Sequence, residues 1–140
     1  MSKSTADLGA ELNGISDLQK YLHDNQEELL VPEPLSYLLQ LAQKKDISKA
    51  QIIRDAQLER TFGYHLLDGS KTLTRNKALA LVFAARLTTE EANTFLKYAQ
   101  LPQLYPRNRR DNVILFCLQK QKSLQETNCT LDDFQLECIQ

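Results

Sequence analysis

The chain has 140 residues, of which 42% are hydrophobic and 25% charged, so its composition is that of one small folded domain rather than a disordered chain. It has only four glycines and four prolines, too few for the many turns of a β-sandwich or barrel. No apolar run reaches the length of about 18 residues that spans a membrane, and the N-terminus lacks a signal-peptide layout, so we expect a cytoplasmic protein without a membrane partner.

The formal net charge of −1 conceals an uneven distribution of charge along the chain. Residues 1–33 carry a net charge of −5, residues 34–122 carry +8, and residues 123–140 carry −4. A basic body between two acidic ends is compatible with a nucleic-acid-binding protein, which the net charge alone would argue against.

The sequence lacks residues arranged for catalysis or metal binding. Its two histidines, His23 and His65, are far apart and have no obvious carboxylate or thiol partner, and no nucleotide-binding, serine-hydrolase or zinc-protease motif occurs. The three cysteines share no metal-binding spacing and fit packing roles in a reducing compartment. We therefore expect a protein that is not an enzyme and has no metal site or cofactor.

The first predicted helix, near residues 16–30, is acidic. Its apolar residues follow the a and d spacing of a coiled coil, with Asn25 at a d position: Ile15, Leu18, Leu22 and Leu29. Two heptads are fewer than the three or four that indicate a coiled coil. The segment therefore pairs with a second subunit, packs on its own chain or stays mobile.

Helical periodicity continues through the rest of the chain, and no convincing strand is found. Apolar residues recur at i, i+3, i+4 and i+7 in segments that begin at Leu35, Ala78 and Ala92. A Ser or Thr followed three residues later by Glu or Gln, which caps a helix N-terminus, occurs at Ser16, Ser48, Thr88 and Ser123. These signals predict further helices near residues 35–44, 49–56, 60–67, 75–86, 89–99, 107–121 and 124–138.

A short internal repeat has a spacing of 35 residues. The pattern E-x-N-x-x-L occurs at residues 91–96 and again at 126–131, and Arg75 and Arg110 precede apolar helices at the same offset. The repeat predicts two successive antiparallel helix pairs of similar shape, which are too few for a solenoid.

Residues 47–91, ISKAQIIRDAQLERTFGYHLLDGSKTLTRNKALALVFAARLTTEE, resemble the Xre or lambda-repressor-like helix-turn-helix family. The positions that carry the resemblance are Ser48, Ile52, Ile53, Leu58, Arg60, Thr61, Gly69, Leu79, Leu87, Thr88 and Glu91. Two positions depart from the family pattern, since Gln57 replaces the turn glycine and Gly63 replaces the usual apolar residue of the second motif helix. The family resemblance covers roughly residues 35–99.

The resemblance implies that the helix at 60–67 lies in the major groove of duplex DNA. Arg60 and Thr61 would then contact base edges, and the guanidinium of Arg60 matches guanine O6 and N7. Tyr64 and His65 would follow one turn on. Three further cations, Lys49, Lys71 and Arg75, would contact phosphates, with a flanking base as an alternative for Lys49.

Arg107, Arg109 and Arg110 form a second basic cluster. It is either a solvated face or a contact for DNA phosphate, for an acidic partner or for the chain's own acidic end, since three cations at a helix N-terminus oppose the macrodipole.

Four phenylalanines are expected to lie in the hydrophobic core: Phe62, Phe83, Phe95 and Phe116.

Together these observations predict an all-α, lambda-repressor-like helix-turn-helix bundle with an extra N-terminal helix and a C-terminal helix pair. The predicted units are an acidic segment at 1–33, a helix-turn-helix domain at 34–100 and a helical hairpin at 101–140. The expected function is sequence-specific binding of double-stranded DNA by a homodimeric transcriptional regulator. The alternative is a protein–protein interaction module, such as an adaptor or an antitoxin-like protein, because residues 46–77 carry only +2.

The charge distribution also predicts that the acidic segment screens the basic body and weakens DNA binding. Deleting residues 1–33 is expected to increase DNA affinity and to steepen its dependence on salt, because the screening carboxylates are removed. Fluorescence anisotropy of labelled duplex across a salt series checks this, and unchanged affinity with an unchanged salt slope contradicts it.

Overall fold

The computed structural model describes residues 33–140, which contain seven α-helices and no β-strand. The helices are α1 (Pro34–Lys44), α2 (Lys49–Asp55), α3 (Arg60–Leu67), α4 (Arg75–Ala84), α5 (Thr89–Tyr98), α6 (Arg109–Gln119) and α7 (Leu124–Asp133). The predicted all-α class is confirmed for this part of the chain. The predicted helix at 16–30, with its cap at Ser16, lies outside the described residues. No helix within 33–140 is long and apolar enough to cross a membrane.

A side-chain cap lies at the start of each helix from α1 to α7, and the Ser/Thr pattern predicted three of these caps, at Ser48, Thr88 and Ser123. The hydroxyl of Ser48 accepts a hydrogen bond from the amide of Gln51 at 3.1 Å. Thr88 and Ser123 form complete capping boxes, in which a glutamate side chain also bonds to the amide of the cap residue. The remaining helices of the described region are capped by Glu33, Glu59, Thr74 and Asn108.

Each of these helices ends in the same hydrogen-bonded turn, with a left-handed residue after the C-cap. In the α2–α3 turn, Gln57 has φ 58° and donates its amide to the Arg54 carbonyl, while Leu58 donates to the Ile53 carbonyl, both at 3.0 Å. These two bonds define the Schellman motif, which satisfies carbonyls left free at a helix end. The left-handed residues are Asp46, Gln57, Arg86, Gln100, Gln121 and Gln135, with φ of 55–59°, and Gly69, with φ 87°.

These turns end three helices earlier than the apolar pattern predicted. α4 ends at Ala84, α6 at Gln119 and α7 at Asp133, whereas the predicted helices continued to residues 86, 121 and 138. After α4 and α7 the pattern misleads because the apolar residue that follows the left-handed turn, Leu87 or Leu136, folds back onto the core and extends the apolar run. After α6 the residue in that position is the exposed Lys122, so this reason does not apply there.

α4 is the central helix of the described region. Every residue from 78 to 85 is buried, and α4 packs against α2, α5 and α7. α1 packs on α5, where the rings of Tyr37 and Tyr98 meet edge to face with centroids 5.2 Å apart. At the end of α1, the ammonium of Lys45 lies 3.1 Å from the carboxylate of Glu91 and donates to the Arg86 carbonyl.

The predicted core residues are mostly buried. Phe83 and Phe95 are buried and Phe62 is half-buried, but Phe116 is 52% exposed, so its core assignment is wrong. Phe116 lies on a face of α6 that no helix within 33–140 covers. Among the cysteines expected to pack, Cys117 is buried and Cys138 is half-buried, whereas Cys129 is exposed.

The 35-residue repeat corresponds to two helical hairpins with equivalent contacts, α4–α5 and α6–α7. Arg75 and Arg110, at equivalent positions, each donate to two backbone carbonyls of the segment that follows their own hairpin. The acceptors are Pro102 and Gln103 in the first copy, and the equivalent Glu137 and Cys138 in the second.

A second pair of equivalent contacts closes each hairpin. The side-chain oxygen of Asn93 accepts a hydrogen bond from the amide of Leu104 at 2.8 Å, and that of Asn128 accepts from the amide of Ile139 at 2.7 Å. Both Leu104 and Ile139 are buried, so the asparagine holds the chain where it turns back into the core.

The two hairpins also contact each other reciprocally. Arg75 binds both carboxylate oxygens of Asp111 at 3.0 and 2.9 Å, and Arg110 donates to the side-chain oxygen of Asn76 at 2.9 Å. Because Asn76 and Asp111 are equivalent residues, each arginine reaches the same position in the other copy. This reciprocity defines a local two-fold relation between the hairpins, consistent with α4 contacting α7 and α5 contacting α6.

The Arg75–Asp111 pair generates a stability prediction. The Arg75 side chain is 23% exposed and the Asp111 side chain 7%, so Arg75→Met leaves a buried carboxylate without its cation. We expect the free energy of unfolding to fall by roughly 3 kcal/mol, measured by urea denaturation at neutral pH.

The double variant Arg75→Met/Asp111→Leu is expected to lose less stability than Arg75→Met, because it leaves no unpaired charge. Lys97→Met, which replaces an exposed cation on α5, is the control. A single variant as stable as this control contradicts the prediction.

Candidate nucleic-acid interface

α2, the turn that follows it and α3 form the segment in which the sequence predicted the helix-turn-helix. Ile52 and Ile53 bury one side of α2, and Leu58 of the turn is half-buried against the same core. Gln57, which replaces the glycine of the family pattern, adopts the left-handed conformation that this position needs. Gln57 therefore makes the left-handed turn energetically more costly than a glycine would, but the geometry of the turn is kept.

Gly63 explains how closely α3 approaches α2. A Cβ built on Gly63 would lie 2.6 Å from Cγ2 and 2.8 Å from Cγ1 of Ile53. Those atoms belong to a stiff β-branched side chain in the core, so they have little freedom to move away. The glycine is therefore a packing requirement of the α2–α3 contact, which outweighs its low helix propensity.

α3 presents one buried face and one exposed face. Gly63, Leu66 and Leu67 are buried. The residues that the resemblance assigned to base contacts, Arg60, Thr61, Tyr64 and His65, are all exposed. At 3.6 residues per turn, positions i, i+1, i+4 and i+5 lie on the same side of a helix, so the fold brings these four side chains together.

Cations flank this exposed face of α3. Lys49 lies in the first turn of α2 and Lys71 follows α3, and both are exposed. Arg54, which the sequence reasoning did not select, is also exposed, with its nitrogen 3.9 Å from a carboxylate oxygen of Asp55. The sequence did offer a signal for Arg54, since it lies at the end of α2, next to the turn that leads into α3.

A groove of about 440 Å³ lies between α2 and α3. Arg54 and Arg60 line it together with the apolar or aromatic residues Ala50, Ile53, Leu58 and Tyr64. The two guanidinium groups therefore border an otherwise apolar depression beside the exposed face of α3.

A carboxylate lies at each end of α3, Glu59 at its N-terminus and Asp68 at its C-terminus. Glu59 caps the helix and accepts hydrogen bonds from the amides of Phe62 at 2.8 Å and Thr61 at 3.0 Å, and these bonds hold the pKa of Glu59 below its usual value. At the other end, hydrogen bonds from the hydroxyl and amide of Ser70 lower the pKa of Asp68. Asp68 also lies 3.8 Å from His65, a carboxylate neighbour that the sequence analysis overlooked.

The other predicted phosphate contacts lie outside this surface. The guanidinium of Arg75 is bound to Asp111 and two backbone carbonyls, and Arg110 is bound to Asn76 and two others. Arg109 lies 3.4 Å from the Phe134 carbonyl, and Arg107 is exposed before α6. The structure thus separates Lys49, Arg60, Thr61, Tyr64, His65 and Lys71 from these four arginines.

Charges on the α2–α3 surface nearly balance once Arg75, whose guanidinium is bound to Asp111, is left out of the count. Four exposed cations, Lys49, Arg54, Arg60 and Lys71, are set against three exposed carboxylates, Asp55, Glu59 and Asp68.

The described residues contain no cluster of His, Cys, Asp or Glu that would hold a metal ion. Comparison with protein-family models, with curated proteins and with solved structures gives no match for this chain.

The cap of α3 generates a prediction on pH dependence. Because folding lowers the pKa of Glu59, its contribution to stability is complete above the unfolded-state value of 4.5 and is lost as the pH falls through the folded-state pKa. Glu59→Gln should therefore lower the melting temperature at neutral pH, with a difference from wild type that shrinks below pH 4.5. A difference that is constant from neutral to acid pH contradicts this role, and thermal unfolding followed by circular dichroism measures it.

Proposed function

We propose that the chain is a duplex-DNA-binding regulator with a lambda-repressor-like helix-turn-helix. In this proposal α2 and α3 are the two helices of the motif, α1 precedes them, and α4 and α5 complete the domain. The observation that carries the proposal is the joint exposure of Arg60, Thr61, Tyr64 and His65 on one face of α3. The short turn and the close contact at Gly63 support it, because they fix α3 rigidly on α2.

In this proposal α3 lies in the major groove with its first turn toward the base edges. The planar guanidinium of Arg60 donates to O6 and N7 of guanine, while Thr61, Tyr64 and His65 contact neighbouring bases or methyl groups. Lys49 and Lys71 bind phosphates on either side and fix the register of the helix. Arg54 joins this set because it borders the same groove as Arg60.

Arg75 is not part of the proposed interface. Its donors are directed at Asp111, Pro102 and Gln103, and breaking these bonds to reach phosphate would leave Asp111 buried and unpaired.

Helix-turn-helix proteins commonly bind as dimers to two half-sites on the DNA. The regulator is therefore proposed to act in the cytoplasm as a homodimer on double-stranded DNA. Transcriptional control then follows from occupancy of the site, without chemistry.

A protein–protein interaction module is the second candidate, favoured by the α2–α3 groove. Its lining by Ala50, Ile53, Leu58 and Tyr64 suits an apolar side chain of a partner, and Arg54 and Arg60 suit acidic residues around that anchor. The carboxylate of Glu59 at the start of α3 also favours a protein over a phosphate backbone.

Arg60→Ala tests the DNA-binding proposal. We expect a loss of about 1–3 kcal/mol in binding to a sequence selected from a random pool, with relaxed preference at one base position, because a bidentate contact to guanine is removed. Lys71→Ala is expected to weaken selected and unrelated DNA equally and to reduce the salt slope by about 1, because it removes only a phosphate contact. Anisotropy titrations across a salt series measure both effects.

Lys97→Ala, which removes an exposed cation of α5, is the matched control and should leave binding and the salt slope unchanged. Selected DNA bound by Arg60→Ala as tightly as by wild type would exclude α3 as the reading helix. If wild type binds no duplex even at low salt, the protein-interaction module becomes the better candidate.

A further inference from the structure

The segment that follows α7 runs back along this helix in the opposite direction. The amide of Leu136 donates to the Leu131 carbonyl at 2.9 Å. Further on, the side chain of Asn128 binds both backbone groups of Ile139, accepting from its amide at 2.7 Å and donating to its carbonyl at 3.0 Å. Because the two segments are antiparallel, the residue after Asn128 and the residue before Ile139 are neighbours across this contact.

Both of these residues are cysteines, Cys129 in α7 and Cys138 in the segment that returns along it. The sulfur of Cys138 lies 3.6 Å from the carbonyl oxygen of Asn128, which belongs to the peptide group that leads into Cys129. In a planar trans peptide that oxygen is about 2.8 Å from the next Cα, so the Cys138 sulfur lies within about 6.4 Å of the Cys129 Cα. The corresponding separation in a disulfide is about 4 Å, so side-chain rotation and a movement of about 2 Å or less join the two sulfurs.

The first hairpin makes the same return without cysteines. Asn93 accepts a hydrogen bond from the amide of Leu104, as its counterpart Asn128 does in the second copy. The residues equivalent to the two cysteines are Thr94 and Gln103. A hairpin of this shape therefore forms without thiols at these positions, and the second copy adds a chemical property to the shared structure.

We propose that Cys129 and Cys138 form an oxidation site, at which a hydroperoxide converts the two thiols into a disulfide that fastens the segment after α7 to that helix. Cys129 is exposed and meets the oxidant, while the half-buried Cys138 resolves the oxidised product. The remaining cysteine, Cys117, is buried in α6 and takes no part. All three thiols are free, so the structure describes the reduced form.

The oxidation proceeds in two balanced steps. The Cys129 thiolate attacks one oxygen of hydrogen peroxide, so that an S–O bond forms, the O–O bond breaks, and the leaving oxygen takes up the thiol proton, which gives a sulfenic acid and one water. The Cys138 thiolate then attacks the Cys129 sulfur, so that the S–S bond forms, the S–O bond breaks, and hydroxide leaves with the second thiol proton as another water. Two thiols thus lose two hydrogens, and the peroxide is reduced to two waters.

This inference goes beyond DNA binding and does not depend on it. The oxidation site lies on α7 and the segment after it, whereas the proposed DNA contacts lie on α2 and α3, so either proposal can fail its test while the other passes. In a reducing compartment, thiol reductants reopen the disulfide by exchange. The site therefore responds to the level of hydroperoxide and is not a permanent cross-link.

The first measurement is the redox equilibrium of the full chain with glutathione. One glutathione disulfide oxidises both thiols and releases two glutathiones, and the ratio at equilibrium gives the effective concentration of one thiol at the other. We expect this concentration to be about tenfold or more higher in the native chain than in concentrated urea, because the fold holds the two thiols together. After free thiols are alkylated, trypsin separates peptide 123–140, which carries both cysteines, from peptide 111–120, which carries Cys117. Mass spectrometry then detects the loss of both thiol hydrogens within peptide 123–140.

Two asparagine variants test the geometry behind this equilibrium. Asn128→Ala is expected to lower the native effective concentration about fivefold or more, because it removes the two hydrogen bonds that hold the returning segment beside α7. Asn93→Ala, which removes the equivalent contact of the first hairpin, is the matched control and should leave that concentration unchanged. With hydrogen peroxide, Cys138→Ser is expected to accumulate a Cys129 sulfenic acid that dimedone traps, whereas wild type forms the disulfide.

The inference is overturned if the effective concentration is the same in the native chain and in urea. It is equally overturned if oxidation joins Cys129 of two copies or forms a bond to Cys117, or if the two asparagine variants change the effective concentration by the same factor. Circular dichroism confirms that each variant is folded before its redox equilibrium is interpreted.

Discussion

Left-handed turns set the direction of every helix from α1 to α7, and the other contacts depend on the arrangement that they produce. Each places one residue at positive φ, which costs about 1–2 kcal/mol for a residue other than glycine. Two backbone hydrogen bonds offset that cost in each turn, and in five of the seven the next residue is apolar and at least half-buried, which adds to them; Ser70 and Lys122 are the exceptions. The helices have only 7 to 11 residues and would be marginal alone, so their stability comes from the packing that these turns impose.

The duplicated hairpin shows how the same side chain acquires different roles. Arg75 and Arg110 occupy equivalent positions and each ties down the chain after its own hairpin, yet only Arg75 meets a carboxylate, because Asp111 corresponds to Asn76 in the first copy. The hairpins also differ in their surroundings. α1 to α3 cover the first, while the second presents Phe116 and opposite charges to solvent.

On the α2–α3 surface, a charge that stabilises α3 within the fold is unfavourable for binding an anion. Glu59 stabilises the start of α3 through two backbone amides, but its charge opposes an approaching phosphate. Affinity for DNA would therefore depend on a few well-placed donors, above all Arg60, rather than on a strong positive field. The apolar groove beside Arg60 is the feature that a protein partner would use instead.

The sequence by itself determined the all-α class, the helix starts, the repeat and the exposed face of α3, because capping and periodicity are local properties of a few neighbouring residues. Only the tertiary structure decided the rest. It bound Arg75 to Asp111 across 36 residues, left Phe116 exposed, and made Gly63 necessary by placing Ile53 against it. Each of these depends on which distant helix lies beside the residue, and an apolar or charged residue type does not specify its neighbour across the fold.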